Sequence, residues 1–131
     1  MNSVSTDIAS LLVADEDLGL TLGTNLFVAK ELTKPNNIVT IFEGISSPPQ
    51  LTFNKGENYF YDAVQIRVRN TEYRTGYALS YAIMVLLHGR GQETINDTLY
   101  SVIYCSSGPA LLGWDDNERC LFVINFEVQR R

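Results

Sequence analysis

Few side chains in this sequence have the chemistry of a catalyst, and the first to consider is His88, the only histidine. A histidine can serve as a general base or as a metal ligand near neutral pH. His88 follows a long apolar run that predicts a helix, and a histidine at a helix C-terminus more often caps the helix or offsets its dipole. The sequence also lacks the GxSxG turn that presents a catalytic serine. We therefore expect a structural role for His88.

Two neighbouring carboxylates, Asp115 and Asp116, are the next candidates, because such a pair can bind a metal ion or supply acid catalysis. Asn117 follows them, and this combination is more typical of a tight turn. The two cysteines, Cys105 and Cys120, do not combine with the single histidine in any familiar metal-ligand spacing. We expect both thiols to be free in a reducing cytoplasm. The sequence thus predicts no catalytic residue, no metal site and no cofactor, and the protein is not expected to be an enzyme.

Binding of nucleotides or nucleic acids finds little support in the sequence. The segment from Gly89 to Gly91 is too short for a phosphate-binding loop, and neither GxxxxGK[ST] nor GxGxxG occurs. The chain has a formal net charge of −5, with fifteen acidic and ten basic side chains. A nucleic-acid-binding module needs a basic surface. Arg67 and Arg69 are candidate phosphate contacts, but in an acidic chain they favour ion pairs between subunits.

The length and composition predict one folded domain over residues 1–131. The chain is 45% hydrophobic and 19% charged, so it can build a core. The longest apolar stretch, from Tyr77 to Leu87, is shorter than the roughly 20 residues that cross a membrane. No basic region followed by an apolar stretch opens the sequence, so we expect no signal peptide and assembly in the host cytoplasm.

The hydrophobic periodicity predicts an α+β fold. An antiparallel or mixed sheet would carry one long helix and a short N-terminal helix on one face. The alternation of apolar residues is clearest in the strands predicted at residues 64–69 and 120–129, which each place apolar residues on one face. The predicted elements are helices at residues 3–14 and 72–88, and strands at residues 26–29, 38–42, 64–69, 98–105, 111–114 and 120–129.

Residues 44–62 predict a long loop or a flexible arm, because glycine, proline, serine and asparagine interrupt any regular element. Aromatic residues are nevertheless frequent in this segment. They predict a surface that docks on a partner and becomes ordered there, since aromatic burial offsets the entropy of ordering. The predicted docking residues of this arm are Phe53, Tyr59, Phe60 and Tyr61.

The second predicted helix is apolar all round its axis, and such a helix must be covered on every side. A sheet covers one side only, so the short N-terminal helix or a neighbouring subunit must cover the other. Tyr77 and Tyr81 are therefore candidate residues of a subunit interface. Arg67 and Arg69 lie on the polar face of a predicted strand, so they would be solvated in an isolated chain. In an oligomer they are candidate partners for carboxylates of a neighbouring subunit.

Three groups of residues, taken in order, resemble one known family. The first follows the N-terminal helix, the second spans the basic strand and the apolar helix, and the third spans the last hairpin. These groups are Gly23-Thr24-Asn25-Leu26-Phe27; Val64 to Arg69 with Tyr73, Gly76-Tyr77 and Leu86 to Gly89; and Ser107-Gly108-Pro109 with Leu112-Gly113, Asp115 to Asn117, Phe122 and Asn125-Phe126.

In this order the groups resemble the siphophage minor capsid proteins that act as tail terminator or tail completion proteins. The resemblance covers almost the whole chain, although Trp114 and Cys120 stand where smaller or polar residues are expected. It implies a mixed α/β subunit that forms a hexameric ring at the head-proximal end of the tail tube. It also implies no cofactor and no catalytic residue.

Such a ring stops tube polymerisation and offers a docking face to the neck of the head. Its expected partners are further copies of the chain, the tail tube protein and a head-completion or neck protein. DNA would pass through the lumen without specific binding, which an acidic ring favours because it repels phosphates. Three alternatives remain: a head–tail joining protein of the same particle, a small hydrolase that uses His88, and a nucleic-acid-binding module.

Overall fold

A computed structural model describes residues 1–50 and 59–131 of the chain. In this part of the chain two α-helices and six strands form the fold, and a short 3₁₀ helix at Glu16–Leu18 follows the first helix. In chain order the elements are α1 (Val4–Ala14), β1 (Leu26–Val28), β2 (Ile38–Glu43), β3 (Phe60–Asn70), α2 (Tyr73–Leu87), β4 (Arg90–Ile95), β5 (Thr98–Trp114) and β6 (Cys120–Arg130).

The six strands form one sheet in the order β1-β2-β3-β6-β5-β4. β1 runs parallel to β2, and every other neighbouring pair is antiparallel. The predicted α+β class is confirmed, and the sheet is mixed rather than purely antiparallel. The predicted contrast between one long helix and one short helix is weak, because α2 has 15 residues and α1 has 11.

Both helices pack on the same face of the sheet and enclose a single core. α1 lies over β1, β2 and β3, and α2 lies over β3, β6 and β5. The prediction of a wholly apolar face on the last strand is confirmed, since Phe122, Ile124 and Phe126 are fully buried with their neighbours on that face. The other face of the sheet, which we call the uncovered face, carries no helix in the described part of the chain.

The local signals at the ends of both helices behave as predicted. The Ser3 hydroxyl accepts a hydrogen bond from the Thr6 N–H at 3.2 Å and so caps α1. Gly89 follows the last turn of α2 with a φ of +87°, a conformation that glycine adopts without steric cost. The N–H of Gly89 then donates to the Ile103 carbonyl at 2.8 Å, which turns the chain directly into β4.

The prediction of separate strands at residues 98–105 and 111–114 is wrong, because β5 is one continuous strand of 17 residues. Its pairing with β6 shifts register at four places, which accommodates residues that break the alternating pattern, such as Gly108 and Pro109. β4 pairs with β5 only as far as Ile103. Beyond Ile103, no strand among the described residues pairs with the outer edge of β5.

The predicted arm at residues 44–62 is shorter than expected, because β3 already begins at Phe60. Tyr61 pairs with Gln129, and this pairing to β6 holds residues 60–62 in the sheet. Gln50 and Tyr59 form an isolated bridge through two backbone hydrogen bonds. Phe53, which was predicted to be a docking residue, lies outside the described residues.

A buried polar network joins both ends of the chain beneath α1. Asp7 on α1 is fully buried, and its carboxylate accepts hydrogen bonds from the Tyr100 hydroxyl and from the Asn96 amide. The Arg130 guanidinium lies 3.6 Å from this carboxylate and donates to Asp62 at 2.7 Å. Burial, followed by the hydrogen bond to Asp7, raises the pKa of Tyr100, so this hydroxyl stays protonated.

We expect Asp7→Asn to lower the free energy of unfolding by about 2–4 kcal/mol, because it removes the charged acceptor of a buried network. Asp17→Asn is the control, because Asp17 is exposed and its side chain makes no ion pair among the described residues. Urea denaturation of both variants measures the difference. Equal unfolding midpoints would show that the network contributes nothing to stability.

Candidate subunit interface

The inner side of α2 is built for close contact with the sheet. Gly76, Ser80, Ile83 and Leu87 are its buried residues. A Cβ atom on Gly76 would lie 2.9 Å from the Phe122 ring, so only glycine lets the helix approach this closely. The Ser80 hydroxyl donates to the Gly76 carbonyl at 2.7 Å, which satisfies this polar group inside the core.

The outer side of α2 carries three tyrosines at intervals of four residues, which we call the tyrosine stripe: Tyr73, Tyr77 and Tyr81. Their exposed fractions are 47%, 44% and 50%. Successive rings stack at centroid distances of 6.4 Å and 6.3 Å, with interplanar angles of 17° and 21°. The stripe is therefore an apolar surface that the described residues leave about half exposed.

The stripe continues onto the end of β5. Tyr73 and Tyr77 both contact the Phe122 ring, at centroid distances of 5.5 Å and 6.1 Å. Leu111 pairs with Phe122 across the sheet, so its exposed side chain lies on the same face beside the stripe. Leu112 and Trp114, which are also exposed, lie on the uncovered face instead, where they line a pocket with Arg67. Sequence analysis named Tyr77 and Tyr81 but missed Tyr73, although the four-residue spacing was a signal for it.

Arg69 does not behave as a solvated charge in the single chain, and that part of the sequence prediction is wrong. The residue is only 5% exposed, and its guanidinium donates to four backbone carbonyl groups of one loop. Arg119 donates to the same loop and to Asp115. Burial, followed by the nearby Arg119 charge, lowers the pKa of Arg69. The accepting carbonyl groups belong to Leu32, Thr33, Pro35 and Asn36.

Arg67 already has a carboxylate partner within its own chain. Its Nε lies 3.3 Å from a Glu31 oxygen, and its guanidinium carbon lies 5.9 Å from the centroid of the Phe42 ring. Arg69 is also near Glu31, at 3.7 Å. The role of both arginines in subunit contact stays a prediction. Arg67 is the more exposed of the two, with 28% of its side chain accessible against 6% for Arg69.

Three predicted docking residues belong to the sheet rather than to a free arm. Tyr59, Phe60 and Tyr61 are half-buried, and the Tyr59 hydroxyl donates to Ser101. Tyr61 lies on the uncovered face, where it lines a groove of about 350 Å³ together with Ile45 and Pro48. These aromatic residues can still contact a partner, but from a fixed position.

The candidate catalytic residues have structural contacts. The His88 Nδ1 atom accepts a hydrogen bond from the Cys105 N–H at 2.9 Å, so His88 fastens the end of α2 to the outer edge of β5. The Asp115 carboxylate accepts from the backbone N–H groups of Asn117 and Arg119, which forms the turn predicted from sequence. These hydrogen bonds, that of Arg119 first, hold the pKa of Asp115 below its usual value.

The described residues were also compared with the requirements of a metal site and of a membrane-spanning helix. Across residues 1–50 and 59–131, no group of three or more histidine, cysteine or carboxylate side chains is arranged to hold a metal ion. No helix in this part of the chain is both long and apolar enough to cross a membrane. Cys105 and Cys120 are both free thiols.

Comparisons with known proteins agree with these features. Residues 11–131 match the family described as bacteriophage tail terminator protein. A solved structure described as the virion of a native gene transfer agent particle has a chain with the same fold. The TM-score is 0.68 at 13% sequence identity, over 97% of this chain and 93% of that chain. No curated protein matches the chain.

The two arginines should differ sharply in their effect on stability. We expect Arg69→Ala to lower the free energy of unfolding by about 3 kcal/mol, because it removes a buried charged side chain that donates to four carbonyl groups of one loop. Arg67→Ala, the matched control on the same strand, should cost about 1 kcal/mol or less. Urea denaturation measures both, and hydrogen exchange should show faster exchange in residues 31–36 only for Arg69→Ala. Equal destabilisation by the two variants would contradict this assignment.

Proposed function

This chain belongs to the bacteriophage tail terminator protein family, and we propose that it forms a ring at the head-proximal end of a phage tail tube. There it ends tube polymerisation and provides the docking face for the head and neck. The family assignment makes the protein a structural component of the virion tail. The ring, its sixfold symmetry and its docking face are the proposal.

The tyrosine stripe is the observation that carries this proposal. A monomeric protein seldom exposes a row of large aromatic side chains beside further apolar residues, and such patches mark interaction surfaces. Tyrosine favours an interface because it offers a large contact area with few rotatable bonds, and its hydroxyl group can stay hydrated at the rim. Because the rings already stack within one chain, little side-chain entropy is lost when a partner covers them.

The charge of the chain suits a ring that conducts DNA. Each subunit carries a formal charge of −5. On β3, Arg67 is paired with Glu31, and Arg69 lies near Glu31 and donates to backbone carbonyl groups. A ring of such subunits is negatively charged overall and therefore repels a phosphate backbone. In this proposal the tail tube protein and a head-completion or neck protein bind the ring, and DNA passes through without specific contacts.

We expect the double variant Tyr77→Ser, Tyr81→Ser to stay folded but to assemble poorly. Aromatic residues at the centre of an interface contribute about 2 kcal/mol or more each, so the loss of both should raise the concentration needed for half-assembly by roughly 700-fold. Light-scattering mass measures assembly, and circular dichroism measures folding. Val13→Ser is the control, because Val13 is also apolar and exposed on a helix but lies on α1.

Tube length provides the second measurement. Purified tail tube protein should form shorter tubes when the wild-type chain is added, and the double tyrosine variant should lose this effect. A wild-type chain that leaves tube length unchanged and instead binds the portal side of the head would favour the head–tail joining role. A double variant that assembles like the wild type would show that the stripe is not the interface.

A further inference from the structure

A proline-containing segment, residues 44–50, lies exposed at the edge of the uncovered face. Its Ile45 is 100% exposed, and Pro48 and Pro49 are also exposed. Two backbone hydrogen bonds fix the segment to β3: Gly44 N–H donates to the Ala63 carbonyl at 2.8 Å, and Ser47 N–H donates to the Tyr61 carbonyl at 3.1 Å. The segment thus holds apolar side chains out to solvent from a defined position.

The backbone of this segment is also conformationally restricted. A residue that precedes proline avoids the helical region, so Ser47 and Pro48 are both confined to extended or polyproline conformations. Proline-rich extended segments bind to rows of aromatic side chains, because their ordering costs little entropy. The tyrosine rings are 6.4 Å and 6.3 Å apart, which is close to the roughly 6.2 Å that two residues span in a polyproline helix.

Charge complementarity links the two surfaces. Arg74 lies on the outer side of α2, one turn from Tyr77 and Ala78, and it is exposed. No carboxylate among the described residues forms an ion pair with it. On the uncovered face, the exposed carboxylate of Glu127 borders the groove that Ile45 and Pro48 line. The Tyr104 hydroxyl, which lies opposite Glu127 on the neighbouring strand β5, donates to this carboxylate.

These two surfaces lie on opposite faces of the sheet. The stripe is on the outer side of α2, which covers one face, and the groove is on the other face beside Tyr61 and Glu127. A head-to-tail contact between identical subunits requires two different, complementary patches, and repetition of such a contact closes a ring when the rotation allows it.

We propose that the tyrosine stripe of one copy packs against residues 44–50 and the adjoining groove of the next copy, with Arg74 facing Glu127. This inference rests on the proposed ring, and it identifies which surfaces meet in it. The three tyrosines are each about half exposed, and burying them supplies roughly 300 Å² of apolar contact. That is a sizeable share of the about 800 Å² per partner in a stable interface, and Leu111, Ile45 and Pro48 extend it.

A charge exchange tests the pairing in the full-length protein. Arg74→Glu alone and Glu127→Arg alone should each raise the concentration for half-assembly about 10-fold or more, because each places like charges in contact. The combined variant, Arg74→Glu with Glu127→Arg, should return assembly to within about threefold of the wild type. Circular dichroism checks that every variant is folded.

The control combines Arg74→Glu with Asp116→Arg, which reverses an exposed carboxylate in the β5–β6 turn. This pair restores the same net charge and should not restore assembly. If the control restores assembly as well as the Glu127 exchange does, only net charge matters and the proposed pairing is overturned.

Other outcomes separate this inference from the proposed function. If wild type and all charge variants form rings equally well, the surfaces that meet are different ones, but the terminator function stands. If Arg74→Glu leaves the ring intact and abolishes binding to purified tail tube protein, the stripe docks on the tube and the inference is overturned. If the wild-type chain neither assembles nor limits tube length, the inference and the proposed function both fail.

Discussion

The buried carboxylate of Asp7 is the interaction on which the arrangement of the whole fold depends. It accepts hydrogen bonds from Tyr100 on β5 and from Asn96 in the preceding turn, and it lies beside Arg130 at the end of β6. Arg130 in turn donates to Asp62 on β3 and to the Asn2 carbonyl. Buried charges are costly unless they are paired, so α1 can dock only where this set of partners is complete. The network therefore specifies the position of α1, and α1 together with α2 closes the core.

The fixed position of the two helices explains where the candidate interaction surfaces lie. α1 covers the β1 side of the sheet and α2 covers the β5 side, so no element remains in the described chain to cover the outer side of α2. Because both helices pack on one face, the uncovered face of the sheet has no helix among the described residues. There Gln65, Asn125 and Ser107 satisfy one another through side-chain hydrogen bonds, so this face is stable in contact with water. A small chain with two helices on one face thus presents two unlike surfaces, one formed mainly by tyrosines and one that mixes polar and apolar side chains.

Sequence patterns predicted the elements that depend on local signals. The Ser3 cap, the alternation in β3 and β6 and the glycine after α2 each depend on neighbouring residues, and each was found. β4 was missed because its residues are mostly polar and Gly91 interrupts them; a Cβ at Gly91 would lie 2.5 Å from the Ser101 carbonyl oxygen, a constraint set by the distant strand β5.

The same limit applies to the candidate interface. Tyr77 and Tyr81 were predicted as interface residues because a helix that is apolar on every side must be covered on every side. The burial of Arg69 could not be predicted, because its four acceptors are backbone carbonyl groups more than thirty residues away. Every residue has a backbone oxygen, so the residue types in the sequence do not indicate which oxygens accept a hydrogen bond. Leu111 was likewise invisible as an interface residue until its pairing with Phe122 placed it beside the stripe.

The outer edge of β5 beyond Ile103 has a consequence for unwanted association between copies of this chain. An open strand edge is a template on which another chain can add by backbone pairing, and it is a common start of aggregation. In β5 the N–H of Cys105 is occupied by His88, Pro109 has no N–H to offer, and repeated register shifts prevent a regular row of donors. An approaching strand would find partners on a few residues and then lose alignment. This part of β5 is therefore a poor template for the addition of another chain by backbone pairing.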